Sequence, residues 1–457
     1  DGASFAKATS VAISSAEKVE IGASDVIAAA DGATLDFTGV TDTLSVAVGT
    51  TNDYTVKGSA TAATTFTMAG GLDADDSLVG GSATTDTATA TVSGLNATTG
   101  AITSSGVEVF ELTNTTTAVV DFTGTTGVTE VSINGLDASA DVATLKGLDA
   151  GTAVTLGNGS TSHVGTLTVA LEDATGSSDS LTLNLTAAGT GGLTNLTTAG
   201  IETLNIVGAA DMDAQNISVL NVDASKIVVT GGNTTPVALS LTGGSGSGTA
   251  STVKLNAATT EVDASGYNAA ISAIAATNTA TSFSSKAAGS AFTGSVLADD
   301  FTIGTADAFV NHASAVLIGT VDGGAGVDTL TAYVGKNASL NAVTNVETVN
   351  LVLKAEAADY TIKVLDGDVG GTGGNIPEGI QTATTLNLSG GEAGKLVTLA
   401  GQAAGDKIED NGARTIDASE VLGSVAMVFD TNALVQTNLS DKIVIYGGQG
   451  SLDKVTA

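Results

Sequence analysis

The sequence lacks several residue types, and each absence excludes a class of protein. It contains no cysteine, which excludes disulfides as staples and thiols as chemistry. It contains no tryptophan and only 3% aromatic residues, so a large, irregular enzyme core built on aromatic anchors is not expected. Proline occurs twice in 457 residues. No apolar run is long enough to span a membrane as a helix, so no transmembrane helix is expected.

Basic residues are also scarce, and this sets the charge of the chain. Fifteen Lys and Arg residues face 48 Asp and Glu residues, which gives a net charge of -33. Self-repulsion of that size opposes a compact state unless counterions bind. No basic patch is present to bind nucleic acid, which is therefore excluded as an expected partner. Divalent cations are the expected partners instead.

What the sequence does contain is one repeated pattern of short strands. Four to seven residues alternate an aliphatic side chain with Thr, Ser or Asn, as in 180–185, and glycine then breaks the run. Almost nothing has helical spacing. Turns at irregular intervals suit a coil of stacked strands. The sequence predicts an all-β fold, a β-solenoid (parallel β-helix-like) rod, with β-sandwich-like lobes as the open alternative.

Four segments follow from changes in this pattern. Residues 1–32 form an N-terminal segment, and the start at Asp1 without Met or a leader suggests a mature or trimmed fragment. Residues 33–115 are expected to form a first β module with an acidic glycine turn. Residues 116–317 are expected to form a central β-solenoid, and residues 318–457 a C-terminal β module.

The clearest candidate for a binding site is the nonapeptide at 323–331, Gly-Gly-Ala-Gly-Val-Asp-Thr-Leu-Thr. Glycines permit backbone angles that a Cβ forbids, and the Asp adds a carboxylate. Ca²⁺ prefers such an all-oxygen shell. The predicted calcium ligands are Gly324, Gly326 and Asp328, with Asp322 as a further carboxylate. The alternative is a plain glycine turn.

Two weaker acidic turns are further calcium candidates. Asp73, Asp75 and Asp76 lie within four residues and repel one another unless a cation binds or they stay solvated. Asp366 and Asp368 lie in a second acidic glycine loop.

Two recurring phrases favour structural roles over ligand binding. The Asp-Ala-Ser corners at 223–225, 263–265 and 417–419 are interpreted as turn caps. Glu202 and Glu347 are interpreted as solvent-facing strand residues.

Catalysis is not expected from this sequence. The only two histidines, His163 and His312, lie in unrelated contexts, and no zinc-protease, nucleophile-elbow or P-loop motif occurs. Acid content alone leaves a paired-carboxylate glycosidase open. Aromatic and basic residues that would line a polysaccharide cleft are nevertheless few. We therefore expect a non-enzyme.

The order of these motifs resembles a known family. A Gly-Asp turn, a polar linker and a strand of the form Gly/Asn-Val/Ile-Glu occur in sequence at 323–351 and, in degraded form, at 70–112. This order resembles the C-terminal parts of crystalline surface-layer (S-layer) proteins of Gram-negative bacteria, which are exported by type I secretion and carry RTX-like repeats. The chain departs from that family in having one complete nonapeptide instead of a tandem run.

The resemblance implies a function and a location. It implies a secreted, calcium-dependent structural protein that self-assembles into a two-dimensional lattice on the bacterial cell surface. Copies of the chain would be its own partners through calcium-bridged lateral contacts. Cell-surface lipopolysaccharide is a further expected partner, through a region that is not evident in this sequence. The alternative function is a secreted calcium-binding adhesin or biofilm-matrix protein, although the near-identical domain repeats of adhesins are absent.

Overall fold

A computed structural model describes residues 4–5, 7–22, 27–48, 53–68, 72, 74–82, 85–92, 101–114, 117–156, 165–185, 193, 195–209, 215–218, 221–231, 239–242, 255–256, 258–267, 271–275, 279–285, 290–305, 316–317, 319–335, 338–339, 343–365, 385–401, 415–428 and 444–456. These residues form strands and turns, and no helix that could cross a membrane occurs among them. The chain divides into two compact units, residues 1–224 with 243–251 and residues 225–242 with 252–457. The division after Ala224 falls inside the segment 116–317 that the sequence suggested as one central solenoid.

The first unit contains strands β1 to β21. They are β1 Ser4–Phe5, β2 Ser10–Ser15, β3 Val19–Ile21, β4 Ala28–Ala29, β5 Ala33–Val40, β6 Leu44–Val48, β7 Tyr54–Lys57, β8 Thr64–Met68, β9 Ser77–Val79, β10 Thr87–Val92, β11 Thr103–Ser105, β12 Val109–Asn114, β13 Thr117–Asp121, β14 Glu130–Asn134, β15 Val142–Leu148, β16 Ala153–Leu156, β17 Thr166–Leu171, β18 Ser180–Leu185, β19 Asn195–Ala199, β20 Thr203–Gly208 and β21 Gln215–Ser218.

The second unit contains strands β22 to β41. They are β22 Lys226–Gly231, β23 Leu239–Thr242, β24 Glu261–Tyr267, β25 Ile271–Ile274, β26 Ser282–Ser285, β27 Ser290–Thr293, β28 Asp300–Ile303, β29 Val316–Leu317, β30 Gly319–Asp322, β31 Thr329–Val334, β32 Ala338–Ser339, β33 Val343–Thr344, β34 Thr348–Leu353, β35 Tyr360–Leu365, β36 Thr385–Gly390, β37 Leu396–Gly401, β38 Thr415–Val421, β39 Ser424–Val428, β40 Val444–Tyr446 and β41 Lys454–Thr456.

Each unit is a parallel β-solenoid. In the first unit the chain returns on each coil to one long sheet, β3-β6-β8-β10-β12-β14-β16-β18-β20, and between returns it adds strands to the flanking sheets β2-β5-β7-β9-β11 and β13-β15-β17-β19. In the second unit the long sheet is β22-β24-β26-β28-β31-β34-β36-β38-β40. Its flanking sheets are β23-β25-β27-β30-β33 and β29-β32-β35-β37-β39-β41. All of these pairings are parallel, which confirms the predicted solenoid fold.

The alternation in the sequence explains how each coil buries its core. In β18 the side chains of Leu181, Leu183 and Leu185 are buried, and the intervening polar side chains are partly exposed. Successive side chains of a strand point to opposite faces, so one aliphatic face per strand is enough to line the interior. Several of the few aromatic residues fill the core between a long sheet and a flanking sheet. Phe283 of β26, for example, stacks on Phe292 of β27 with ring centroids 5.0 Å apart.

Candidate metal centre

The nonapeptide forms the turn between β30 and β31 in the second unit. Two of its glycines adopt left-handed backbone angles, with φ of 90° at Gly324 and 144° at Gly326. Residues with a Cβ rarely adopt these angles, so the turn requires glycine at both positions. Asp328 ends the turn immediately before β31, a strand of the long sheet.

The turn is packed tightly against the turns of the neighbouring coils. A Cβ at Gly324 would lie 2.0 Å from the carbonyl oxygen of Ser295. At Gly323 it would lie 1.9 Å from the carbonyl oxygen of Asn345 and 2.6 Å from Oδ2 of Asp328. The glycines therefore let three successive turns stack, and they leave room for the Asp328 carboxylate to fold back over the start of its own turn.

Asp328 is fully buried and connects its coil to the coils on either side. Its Oδ1 accepts the backbone N–H of Asp299 at 2.8 Å, and its own N–H donates to Oε2 of Glu347 at 2.7 Å. Its Oδ2 is also buried, and no hydrogen-bond partner for it exists among the residues that the structure describes. A buried carboxylate oxygen without a donor is costly unless a proton or a cation satisfies it.

Two related turns show why Oδ2 of Asp328 has no hydrogen-bond donor. In the turn at 80–86 the N–H of Gly81 donates to Oδ2 of Asp86. In the turn at 294–299 the N–H of Ser295 donates to Oδ2 of Asp299 at 2.6 Å. The corresponding N–H in the nonapeptide belongs to Gly324, but it donates to Oδ1 of Asp322 at 3.1 Å instead. Asp322 thus takes the donor that would otherwise satisfy Asp328.

The electrostatics of the turn favour a bound positive charge. Burial first, and then the carboxylates of Asp299, Glu347 and Asp300, together raise the pKa of Asp328 to about 6. Each of these effects disfavours the ionised carboxylate. A cation at Oδ2 would offset the cost of ionising Asp328, because its positive charge would also attract the neighbouring carboxylates.

The residues of the turn fit a hard cation such as Ca²⁺, which takes carboxylate and backbone carbonyl oxygens. Asp328 offers a buried oxygen with no donor, and the glycines leave a cradle that side chains would fill. Among the described residues, no group of three or more His, Cys, Asp or Glu side chains could hold a metal. A cation at Oδ2 would therefore need backbone carbonyls or water for the rest of its shell.

Four of the predicted ligands lie at this turn of the second unit. Asp322 ends β30, and Gly324, Gly326 and Asp328 lie in the turn that follows it. Asp73, Asp366 and Asp368 lie outside the described residues. In the first unit Asp75 is exposed, whereas Asp76 is buried and its Oδ1 accepts the N–H of Tyr54 at 3.2 Å.

In two of the Asp-Ala-Ser corners the Asp caps the Ser two residues further on, as predicted, although both corners lie within strands, β24 and β38. Oδ1 of Asp417 accepts the N–H and the hydroxyl of Ser419 at 2.9 and 2.6 Å, and Asp263 binds Ser265 in the same way at 3.0 and 2.6 Å. The hydroxyl of Ser419 lowers the pKa of Asp417, because it stabilises the charged carboxylate. The third corner differs, since Asp223 Oδ2 accepts the N–H of Gly200 in the preceding coil.

The interpretation of Glu202 and Glu347 as strand residues is wrong. Both lie in turns, one residue before β20 and β34. The residue two positions before Glu347 is Asn345, whose φ of 53° is the only left-handed value at a non-glycine among the described residues. The Gly/Asn-Val/Ile-Glu phrase therefore begins as a left-handed turn, buries its aliphatic residue and ends in a carboxylate that accepts an N–H from the preceding coil.

Sequence reasoning also missed Asp86 and Asp299, the buried residues that end the related turns. The signal was present in the spacing. Asp299 follows Gly294 by the same interval that separates Asp328 from Gly323, and Asp86 follows the equivalent Gly80 by one residue more. In each case an alternating strand begins directly after the Asp.

Comparison of the chain with protein-family models, with curated proteins and with solved structures gave no match.

Proposed function

We propose that this chain is a structural protein of a bacterial surface layer, a secreted calcium-binding solenoid that assembles laterally into a two-dimensional lattice. The observation that carries the proposal is Asp328, a fully buried carboxylate with one unsatisfied oxygen inside a complete glycine-rich nonapeptide. The solenoid supports it as well, because a coil of small side chains offers long, regular surfaces for packing against copies of itself.

Calcium would act on this chain in three ways. At the nonapeptide it would satisfy the Asp328 oxygen and fix the turn. Over the whole surface it would offset a net charge of -33. Between copies it would bridge acidic faces. Because metal binding and folding are coupled, such a chain would gain order on reaching a calcium-rich exterior.

Electron microscopy of the purified chain with and without calcium tests this function. We expect ordered sheets in Ca²⁺ and their loss in excess chelator. Mg²⁺ should restore them poorly, because it demands near-ideal octahedral geometry and dehydrates reluctantly. Sheets that persist in excess chelator with an unchanged melting temperature would contradict the proposal, and isolated rods or fibres in Ca²⁺ would favour the adhesin or biofilm-matrix alternative.

A further inference from the structure

A contact between an Asp and a Glu recurs in both units, and we refer to it as the Asp–Glu clasp. In each clasp the N–H of the Asp donates to Oε2 of a Glu in the following coil, and the Asp carbonyl accepts the N–H of that Glu. The N–H to Oε2 distances are 2.6 Å for Asp86–Glu108, 2.8 Å for Asp179–Glu202 and 2.7 Å for Asp328–Glu347. The return contacts are 3.1, 2.9 and 3.2 Å long in the same order.

The clasp at Asp328 is the end of a longer series of contacts. The N–H of Thr281 donates to Oδ1 of Asp299 at 2.6 Å, and the N–H of Asp299 donates to Oδ1 of Asp328 at 2.8 Å. The clasp to Glu347 then continues the series into the next coil. Side-chain carboxylates thus hold the strand starts of four successive coils of the long sheet in register.

We propose that Glu347, which lies outside the nonapeptide, is a positioning residue for the cation at Asp328. This inference rests on the proposed calcium role of the turn. Glu347 holds the backbone of Asp328, and Asp299 occupies Oδ1, so Oδ2 is the one carboxylate oxygen that remains for a cation. Without the clasp, the N–H of a fully buried residue would lose its acceptor, and the turn would have to shift to satisfy it.

Known metal sites indicate how large the change in calcium affinity should be. Groups that orient a metal ligand without touching the metal change metal affinity by about 10- to 100-fold when removed. Glu347→Ala removes both the acceptor and a negative charge. Glu347→Gln keeps a carbonyl oxygen that can accept the Asp328 N–H, and removes only the charge. The two variants therefore separate positioning from simple electrostatic attraction.

Calcium titration calorimetry of the full chain is the test, with Asp328→Asn defining which binding belongs to this turn. For that binding we expect Glu347→Ala to weaken affinity about 10- to 100-fold, and Glu347→Gln to stay closer to the unmodified chain than to Glu347→Ala. The matched control is Glu108→Ala. It breaks the same clasp at Asp86, whose Oδ2 already has a donor in Gly81, and should leave this affinity unchanged.

Hydrogen exchange in calcium-free buffer gives a readout that does not depend on the metal. Glu347→Ala should speed exchange of the Asp328 amide, and Glu347→Gln should restore its protection. Equal affinity losses in the Ala and Gln variants, or an unchanged affinity in Glu347→Ala, would overturn the positioning role alone. If Asp328→Asn binds as much calcium as the unmodified chain, the calcium assignment of the turn fails first, and this proposal falls with it.

Discussion

Replacing Asp328 by Asn should remove a pH-dependent loss of stability from the calcium-free second unit. The pKa of this carboxyl is raised from its ordinary 3.8 to about 6, first by burial and then by Asp299, Glu347 and Asp300. The folded chain therefore binds the proton more tightly than the unfolded chain does. The contribution of Asp328 to stability is therefore highest when both states are protonated, below about pH 4, and it is lost as the pH rises through 6.

The size of the effect follows from the size of the shift. A difference between 3.8 and about 6 corresponds to roughly 3 kcal/mol of stability lost by pH 8. Asn has nearly the same shape and no charge, so Asp328→Asn should escape that loss. In chelator at pH 8 we expect the variant to be more stable than the unmodified chain by up to about 3 kcal/mol, and this advantage should shrink toward pH 4.

Urea unfolding followed by circular dichroism, at a series of pH values in excess chelator, measures this difference. Asp417→Asn is the control, because the pKa of its partly exposed carboxyl is lowered instead of raised, so this carboxyl contributes no loss of stability as the pH rises. Added calcium should invert the order, since only the unmodified chain would gain binding energy at the turn. A constant difference between Asp328→Asn and the unmodified chain from pH 4 to 8 would refute the electrostatic argument.

Two further substitutions test the packing on which the turn depends. Gly323→Ala places a Cβ 1.9 Å from the Asn345 carbonyl oxygen and should cost about 1–3 kcal/mol of unfolding free energy, so a change under about 0.5 kcal/mol would show that the turns are less tightly stacked. Phe283→Ala removes a fully buried ring that stacks on Phe292 and Phe301 at 5.0 and 5.5 Å. It should cost about 3–5 kcal/mol in the same assay. Val327→Ala, at a side chain that is 69% exposed, is its control and should change stability by less than about 0.5 kcal/mol.

The fold was predictable because its rules are local. Alternating aliphatic and polar residues, with glycine at the breaks, determine short strands that bury one face, and the structure has such strands throughout its described residues. The caps at Asp263 and Asp417 were predictable for the same reason. Each carboxylate binds a serine two residues away, so the whole contact lies within one short stretch of sequence.

The Asp–Glu clasps were not predictable, because each joins two turns that are adjacent in space but separated by a variable length of sequence. Ser282 pairs with Asp300 in the next coil, whereas Thr348 pairs with Thr385, so the coils differ by a factor of two in length. No fixed period reveals that Glu347 follows Asp328 in space. The alternating pattern also continues through Val346 into the strand, which made Glu347 resemble an outward-facing strand residue.

The stacked turns also separate acidic residues that support the fold from those that can bind a cation. Asp76, Asp86 and Asp299 all accept backbone N–H groups, and the N–H groups at Asp86 and Asp299 satisfy both carboxylate oxygens. Such residues stabilise the coil without a metal. Among the described residues that are fully buried, Asp328 is an acid whose second oxygen lacks a donor, because the Gly324 N–H donates to Asp322 instead. We therefore expect fewer cation sites than acidic turns. A cation would be required only where a buried carboxylate oxygen receives no backbone N–H.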